Sequence, residues 1–279
     1  MAELTVGIGG FGAIGASVAR ALDAGPLDKG AVHGGIPGIR LVAVSARDHD
    51  GARARMAGMA KPPSVVGLAE LASLADIVVE CAPAAVFGDV ATAAVEAGRI
   101  FIPLSCGALL QNMELVARAK VTGARIIVPT GALLGLDAVR AAAEGVIHSV
   151  HMVTRKPPKG LAGAPHLVEN DINVENLSAP KLVFEGTARD AAKAFPANVN
   201  VAAALSLAGN GPDSTTIEIW ADPTVTRNTH TIKVDSDATR FEMTIEGIPS
   251  PDNPATGLLT PLSVLATLRG LVSTLKVGT

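Results

Sequence analysis

Apolar positions in the first half of the chain come in short unbroken runs. They are "LTVGI" (4–8), "IRLVAVS" (39–45), "ADIVVECAP" (75–83), "RIFIPLS" (99–105) and "ARIIVPT" (124–130). Between them lie stretches with helical spacing: "AIGASVARALDAG" after the first run, "AAVFGDVATAAVEAG" after the third with Gly98 as its stop, and 108–121. Strands without alternation are apolar on both faces, so helices must cover both sides of a parallel sheet. The second half has a different period. A strand over 146–156 leads into the loop "PPKGLAGAP". A helix is expected from Thr187, where a hydroxyl cap is followed by Asp190, through "AAKAF" and, after Pro196, "NVNVAAALSLAG". Three alternating strands follow at 215–222, 228–235 and 239–247, as in an antiparallel sheet wet on one side. A last helix over about 255–272 is apolar enough to pack back on another domain.

The expected fold is α/β. A doubly wound, Rossmann-type dinucleotide-binding domain spans 1–130, and a smaller α/β domain with a mainly antiparallel sheet spans 131–254. The C-terminal segment 255–279 returns to the first domain. A chain of 279 residues that is 48% hydrophobic and 18% charged has enough apolar surface for a large core. A net charge of −3 with interspersed signs gives no footprint for nucleic acid. Cys81 and Cys106 sit in apolar surroundings and read as reduced core residues of a cytoplasmic protein. No basic leader and no long uninterrupted apolar stretch are visible, so neither a signal peptide nor a membrane span is expected.

Chemistry enters with "GIGGFGAIG" after the first strand. Two G-x-G-x-x-G registers overlap there, Gly7-Gly9-Gly12 and Gly10-Gly12-Gly15. The second fits better. Gly10 makes the tight turn, Gly12 lets backbone approach a pyrophosphate, and Gly15 packs closely inside the helix. The helix N-terminus would supply amide donors to that anion. The alternative is a merely structural glycine turn. At the end of the second strand stands "VSARDHD". An acid there would bind an adenosine ribose, but Ser45 and Arg47 come first and Asp48 comes late. A hydroxyl followed by a guanidinium suits a 2′-phosphate, so NADP is expected to be accepted as well as NAD. Against this, Arg47 reads equally as a solvated loop charge.

In "RNTHTIKVD" (227–235), alternation puts Asn228, His230, Ile232 and Val234 on one face. An imidazole aimed with Ile and Val is either a satisfied core histidine or a proton-transfer group lining a cleft. His148 and His151, three apart on a strand, face opposite ways, and His33, His49 and His166 lack ligand-spaced partners, so no catalytic metal is expected.

The blocks "GFGAIG", "ECAP", "SCGALL", "PTGALLGLDAVRAA", "FPANVNVAAALSLAG" and "RNTHTIKV…IPSPDNPATG" together resemble the L-aspartate dehydrogenase family, in order and across nearly the whole chain. The resemblance implies a Rossmann domain, a second α/β domain whose sheet faces the nicotinamide, and oxidation of L-aspartate with NAD or NADP to iminosuccinate. That imine hydrolyses to oxaloacetate and ammonia, or feeds quinolinate and hence NAD synthesis. By the same resemblance the catalytic histidine is His230. The expected cofactor-binding set is Gly10, Phe11, Gly12, Ala13, Ile14, Ser45, Arg47, Ala82, Ala132 and Asn200. Homodimerisation is implied too. Two features depart from the family: Thr130 in place of a serine, and the Gly-rich insertion 25–38.

A dicarboxylate also needs cationic partners. In "TRKPPK" Arg155 or Lys156 is placed to meet one, unless both are solvated, and Ser105 with the amides after it is a third candidate. Two other readings stay open. One is a dehydrogenase or imine reductase for a different amino acid on this scaffold. The other is a non-catalytic NAD(P) sensor.

Overall fold

The computed structural model describes residues 3–23, 35–196, 199–251, 253 and 256–278. His33 and most of the Gly-rich insertion 25–38 lie outside the described residues. The chain divides into two compact units, 1–129 with 260–276, and 130–259 with 277–279.

Unit 1 runs β1 (Leu4–Gly9), α1 (Ala13–Asp23), β2 (Ile39–Ser45), α2 (His49–Arg55), β3 (Ser64–Val66), α3 (Leu71–Leu74), β4 (Ile77–Glu80), α4 (Phe87–Glu96), β5 (Ile100–Pro103), α5 (Cys106–Leu110), α6 (Glu114–Thr122) and β6 (Arg125–Ile126). The six strands are ordered β3-β2-β1-β4-β5-β6, and every pair is parallel. The order reverses between β1 and β4, which is where doubly wound sheets bind dinucleotides beyond the strand ends. The unbroken apolar runs have their cause here. Val6, Ile8, Ile77, Val79 and Ile102 are buried with Val18, Ala19 and Leu22 of α1 on one side of the sheet. Into the same cluster go Val264, Leu265 and Leu268 of the last helix, α11 by chain order (Leu259–Val272). The C-terminal helix thus packs on the Rossmann-type unit, as its composition predicts.

Three features of unit 1 differ from the sequence expectation. The helix over 108–121 is two helices. Asn112 turns its side chain back onto the Ala108 carbonyl (2.8 Å), and its amide bonds Leu109, so α5 closes before α6 starts. The strand over 124–130 shrinks to Arg125–Ile126, because it is a sheet edge with one neighbour and Pro129 has no amide to donate. The short elements α2, β3 and α3 carry too few residues to show a period.

Unit 2 contains α7 (Leu136–Ala142), β7 (Ile147–Lys156), α8 (Pro165–Glu169), β8 (Lys181–Thr187), α9 (Ala188–Ala194), α10 (Asn200–Ala208), β9 (Thr215–Ala221), β10 (Asn228–Ser236) and β11 (Arg240–Gly247). The sheet order is β11-β10-β7-β9-β8, antiparallel except for β7 beside β9. Thr187 caps α9 as expected, accepting from the Asp190 amide at 3.1 Å. The helix then stops at Ala194, ahead of Pro196, and α10 begins at Asn200. Strand β8 escaped the sequence pattern because its pairing with β9 slips between Leu182 and Phe184, which breaks the alternation. Helices α7, α9 and α10 cover one face. Gly209 after α10 allows Val150 of β7 and Val139 of α7 to approach to within 3.3 Å of where a Cβ would stand. That face is the apolar one, with Val150, Met152, Ile217, Ile219, Ile232 and Val234 all buried.

Candidate functional site

The glycine turn is made of backbone. β1 ends at Gly9 and α1 begins at Ala13, so the Gly10-Gly12-Gly15 register straddles the turn while Gly7 lies within the strand. Gly10 has φ +103°, and a Cβ on it would stand 2.5 Å from the Cys81 carbonyl oxygen after β4. No other residue type fits that position. A Cβ on Gly15 would collide with the Gly10 carbonyl, so α1 sits tightly on the turn. Gly12 is exposed, with nothing within 4 Å of where a Cβ would be. The first-turn amides of α1 open onto this space, and helical bonding begins only with Ala16 N–H to Gly12 O at 2.9 Å. An open approach, first-turn amides without an acceptor among the described residues and the positive end of an eleven-residue helix fit a pyrophosphate. Phe11 is buried and packs into the core cluster, while Ala13 and Ile14 are partly exposed.

At the adenosine side, Ser45 closes β2 and gives its carbonyl to Gly10 N–H at 3.0 Å. Asp48 does not reach for a ribose: it is the N-cap of α2 and accepts from Gly51 N–H at 2.9 Å. Arg47 is exposed and Arg55 of α2 lies over the Phe11 ring, 5.6 Å from its centre. Among the described residues neither guanidinium has a carboxylate partner, whereas the neighbouring Arg53 is paired with Asp50. The Arg55–Phe11 contact gave no sequence signal, because it depends on where α2 falls beside the turn.

A buried carboxylate supports the other side. Glu80, the last residue of β4, is 0% exposed. It accepts from Ala82 N–H (3.0 Å), Ser105 N–H (3.0 Å) and the Ser105 hydroxyl (3.0 Å). Burial pushes its pKa up, and those bonds oppose the rise. Burial, reinforced by the Glu80 charge, also raises both neighbouring thiols, Cys106 to about 12 and Cys81 further. Both cysteines are free, and Cys81 donates to the Gly10 carbonyl at 3.2 Å. Glu80 was missed in the sequence. The available signal was an acid directly following "IVV" in a strand with no exposed face.

In unit 2, His230 is 3% exposed on the apolar face of β10, opposite Thr154 of β7. Nδ1 and the Thr154 hydroxyl are 3.0 Å apart, and that bond runs in either direction with the ring's tautomer. Among the described residues it is the only hydrogen bond of the ring. Among the described residues no wholly buried side-chain nitrogen or oxygen lacks a partner, so Nε2 reaches the surface. Two residues beyond Thr154 on the same face stands Lys156, 6% exposed. Burial lowers its pKa to about 8. Burial, with the Lys156 charge added, lowers that of His230 to about 3, so the imidazole is neutral at ordinary pH. One end of an otherwise aliphatic face thus carries a threonine, a lysine and an open imidazole.

The other sequence candidates fall as follows. Arg155 leaves the site. It points to the opposite face of β7, paired with Asp222 at 2.9 Å and lying over Trp220 at 5.0 Å, because adjacent strand residues must face opposite ways. Lys156 takes its place beside His230. The Ser105 hydroxyl donates to Glu80 at 3.0 Å, so its proton is engaged within unit 1. Ala82 lies in the same network. Ala132 and Asn200 belong to unit 2, in the 130–135 turn and at the start of α10. Among the described residues no group of three or more His, Cys, Asp or Glu is arranged to hold a metal, and no helix is long and apolar enough to cross a membrane.

Comparison with known proteins agrees with both units. Residues 10–129 match the family model described as the NAD-binding domain of homoserine dehydrogenase, and 137–271 match that of the aspartate dehydrogenase C-terminal domain. The chain is 53% identical to an L-aspartate dehydrogenase of Bradyrhizobium diazoefficiens, over 99% of this chain and 95% of that one. It is 51% identical to L-aspartate dehydrogenase 3 of Bordetella bronchiseptica, covering 99% and 98%. Its fold is similar to the crystal structure of aspartate dehydrogenase from Thermotoga maritima, with a TM-score of 0.72, 27% identity and 99% of both chains covered. With an NAD-binding unit, a matching C-terminal domain and relatives alike from end to end, the chain belongs to the L-aspartate dehydrogenase family of NAD(P)-dependent oxidoreductases.

Proposed function

We propose that this chain oxidises L-aspartate with NAD or NADP to iminosuccinate, which takes up water and releases ammonia to leave oxaloacetate, or runs the reverse reductive amination. The observation that carries the reading is His230: a nearly buried, neutral imidazole fixed through Nδ1 on Thr154, with Nε2 open and a lysine on the same face. A bound nicotinamide would supply the acceptor for the Cα hydride of aspartate, leaving the substrate as a protonated imine. Water adds to the imine carbon while His230 Nε2 takes its proton. The imidazolium then protonates the amine of the resulting carbinolamine, which departs as ammonia while the hydroxyl proton passes to the imidazole as the carbonyl forms. Such a shuttle contributes about 10²–10⁴-fold. Lys156 meets one substrate carboxylate. Burial is the larger cause that holds His230 neutral, and the bound dicarboxylate offsets the smaller one, the lysine charge.

Support for NADP beside NAD comes from Arg47 and Arg55, guanidiniums without carboxylate partners next to the turn, and from the engagement of Asp48 as a helix cap. Following the family resemblance, the enzyme acts in the cytoplasm as a homodimer and its imine product feeds quinolinate and NAD synthesis. A single-protomer mass by light scattering would remove the dimer.

The test is absorbance at 340 nm with oxaloacetate, ammonium and each reduced cofactor, run beside other 2-oxo acids and aldehydes. Consumption with oxaloacetate well above the panel is expected. A faster alternative acid moves the substrate, and binding without turnover on any acid turns the protein into a sensor. Arg47→Ala should raise the KM for NADPH and leave that for NADH. A strong NADH preference untouched by this change defeats the NADP reading.

A further inference from the structure

We propose that Glu80 is a positioning residue for the nicotinamide half of the cofactor. This rests on the dinucleotide reading of unit 1. Glu80 ends β4, the strand beside β1 at the point where the sheet order reverses. The glycine turn and β2 make up one mononucleotide half there, so the segments after β4 and β5 make up the other. Glu80 binds both of those segments. It takes Ala82 N–H from the first, and the amide and hydroxyl of Ser105 from the second. The residue between them backs the glycine turn, with Cys81 N–H on Gly9 O at 2.8 Å and a Cβ-free Gly10 against the Cys81 carbonyl.

The choice of an acid is informative. A carboxylate with no exposure is costly to desolvate, and no cation offsets the charge among the causes of its pKa shift. A glutamine would fill the same space without that cost. It fails on hydrogen bonding, because three donors converge from two loops and only an acceptor-only group serves them all. Turned either way, the amide of Glu80→Gln sets its NH₂ against a backbone N–H. One loop must then move, while the Gly10–Gly15 turn and the β2 end, which take no bond from Glu80, stay put.

The test separates the two halves of the cofactor. The full-length protein is titrated with NADH and NADPH by nicotinamide fluorescence, and with ADP-ribose, which lacks the nicotinamide, by calorimetry. Glu80→Gln is expected to weaken NADH and NADPH about tenfold and leave ADP-ribose within about twofold, with the shift confined to the reduced nicotinamide's signal. Ser105→Ala, which removes one of the three donors and is mild enough to fold, should move NADH the same way by about threefold. Equal losses for ADP-ribose and NADH, or unchanged NADH affinity in either variant, overturns the proposal. A wild-type protein that fails to bind ADP-ribose overturns the dinucleotide reading along with it.

Discussion

The glycine turn and the His230 face solve recognition in opposite ways. The turn offers a ligand almost no side chains. Its shape lies in φ +103° at Gly10, a Cβ-free approach at Gly12 and a helix end. The His230 face is all side chain: three polar groups at the end of an aliphatic surface, two of them, Lys156 and His230, with pKa lowered by burial. A backbone site tolerates neighbours but not an added methyl at its glycines. A side-chain site tolerates backbone variety but not loss of one group.

The largest effect that sharpens this contrast is expected at Gly10. Gly10→Ala forces a non-glycine residue to positive φ, a strain of about 1–3 kcal/mol, and drives a methyl into the Cys81 carbonyl. NADH affinity by fluorescence titration should fall roughly hundredfold, which corresponds to about 2.7 kcal/mol. An unchanged affinity would mean that the turn is structural only. Lys156→Met comes next. It removes a charged hydrogen-bond donor worth about 1.5–3 kcal/mol and should weaken succinate, an unreactive dicarboxylate, roughly 10–100-fold as a competitive inhibitor. In wild type the inhibition constant of succinate should rise as pH passes through about 8, where the lysine loses its proton. A flat profile removes Lys156 from carboxylate binding.

The smallest effect is on stability. Folded His230 stays neutral down to about 3, while the unfolded imidazole takes a proton near its ordinary value of 6.5. Between those limits the unfolded state binds more protons, so stability falls as pH falls, by on the order of 1 kcal/mol per unit. Urea unfolding of wild type and His230→Asn at pH 7 and 5 should show the wild type losing more. Parallel curves would contradict the buried, neutral imidazole.

The two regions also differ in how far the sequence disclosed them. The parallel sheet was legible because unbroken apolar runs leave no other cover than helices. The turn's register was legible because only one set of glycines straddles the strand end. Alternation placed His230 inward, correctly, from "NTHTIKV" alone. It could not choose between core and cleft, since that depends on Thr154 holding one nitrogen and the surface reaching the other. Arg155 and Lys156 show the same limit at one residue's resolution. Guanidinium chemistry favoured Arg155, but the strand pleat gave the inward place to Lys156. The acid after "IVV" was a local signal for Glu80, but two of its three donors come from residue 105, across a strand boundary that no local pattern spans.

The central claim is that His230 moves protons for the reaction and does not merely fill a core. The direct measurement is kcat of His230→Asn with oxaloacetate, ammonium and saturating reduced cofactor, alongside melting temperature and NADH affinity. A fall of about 10²–10⁴ in kcat with folding and NADH binding retained is the predicted result. Turnover within about threefold of wild type in a folded, cofactor-binding variant would contradict it.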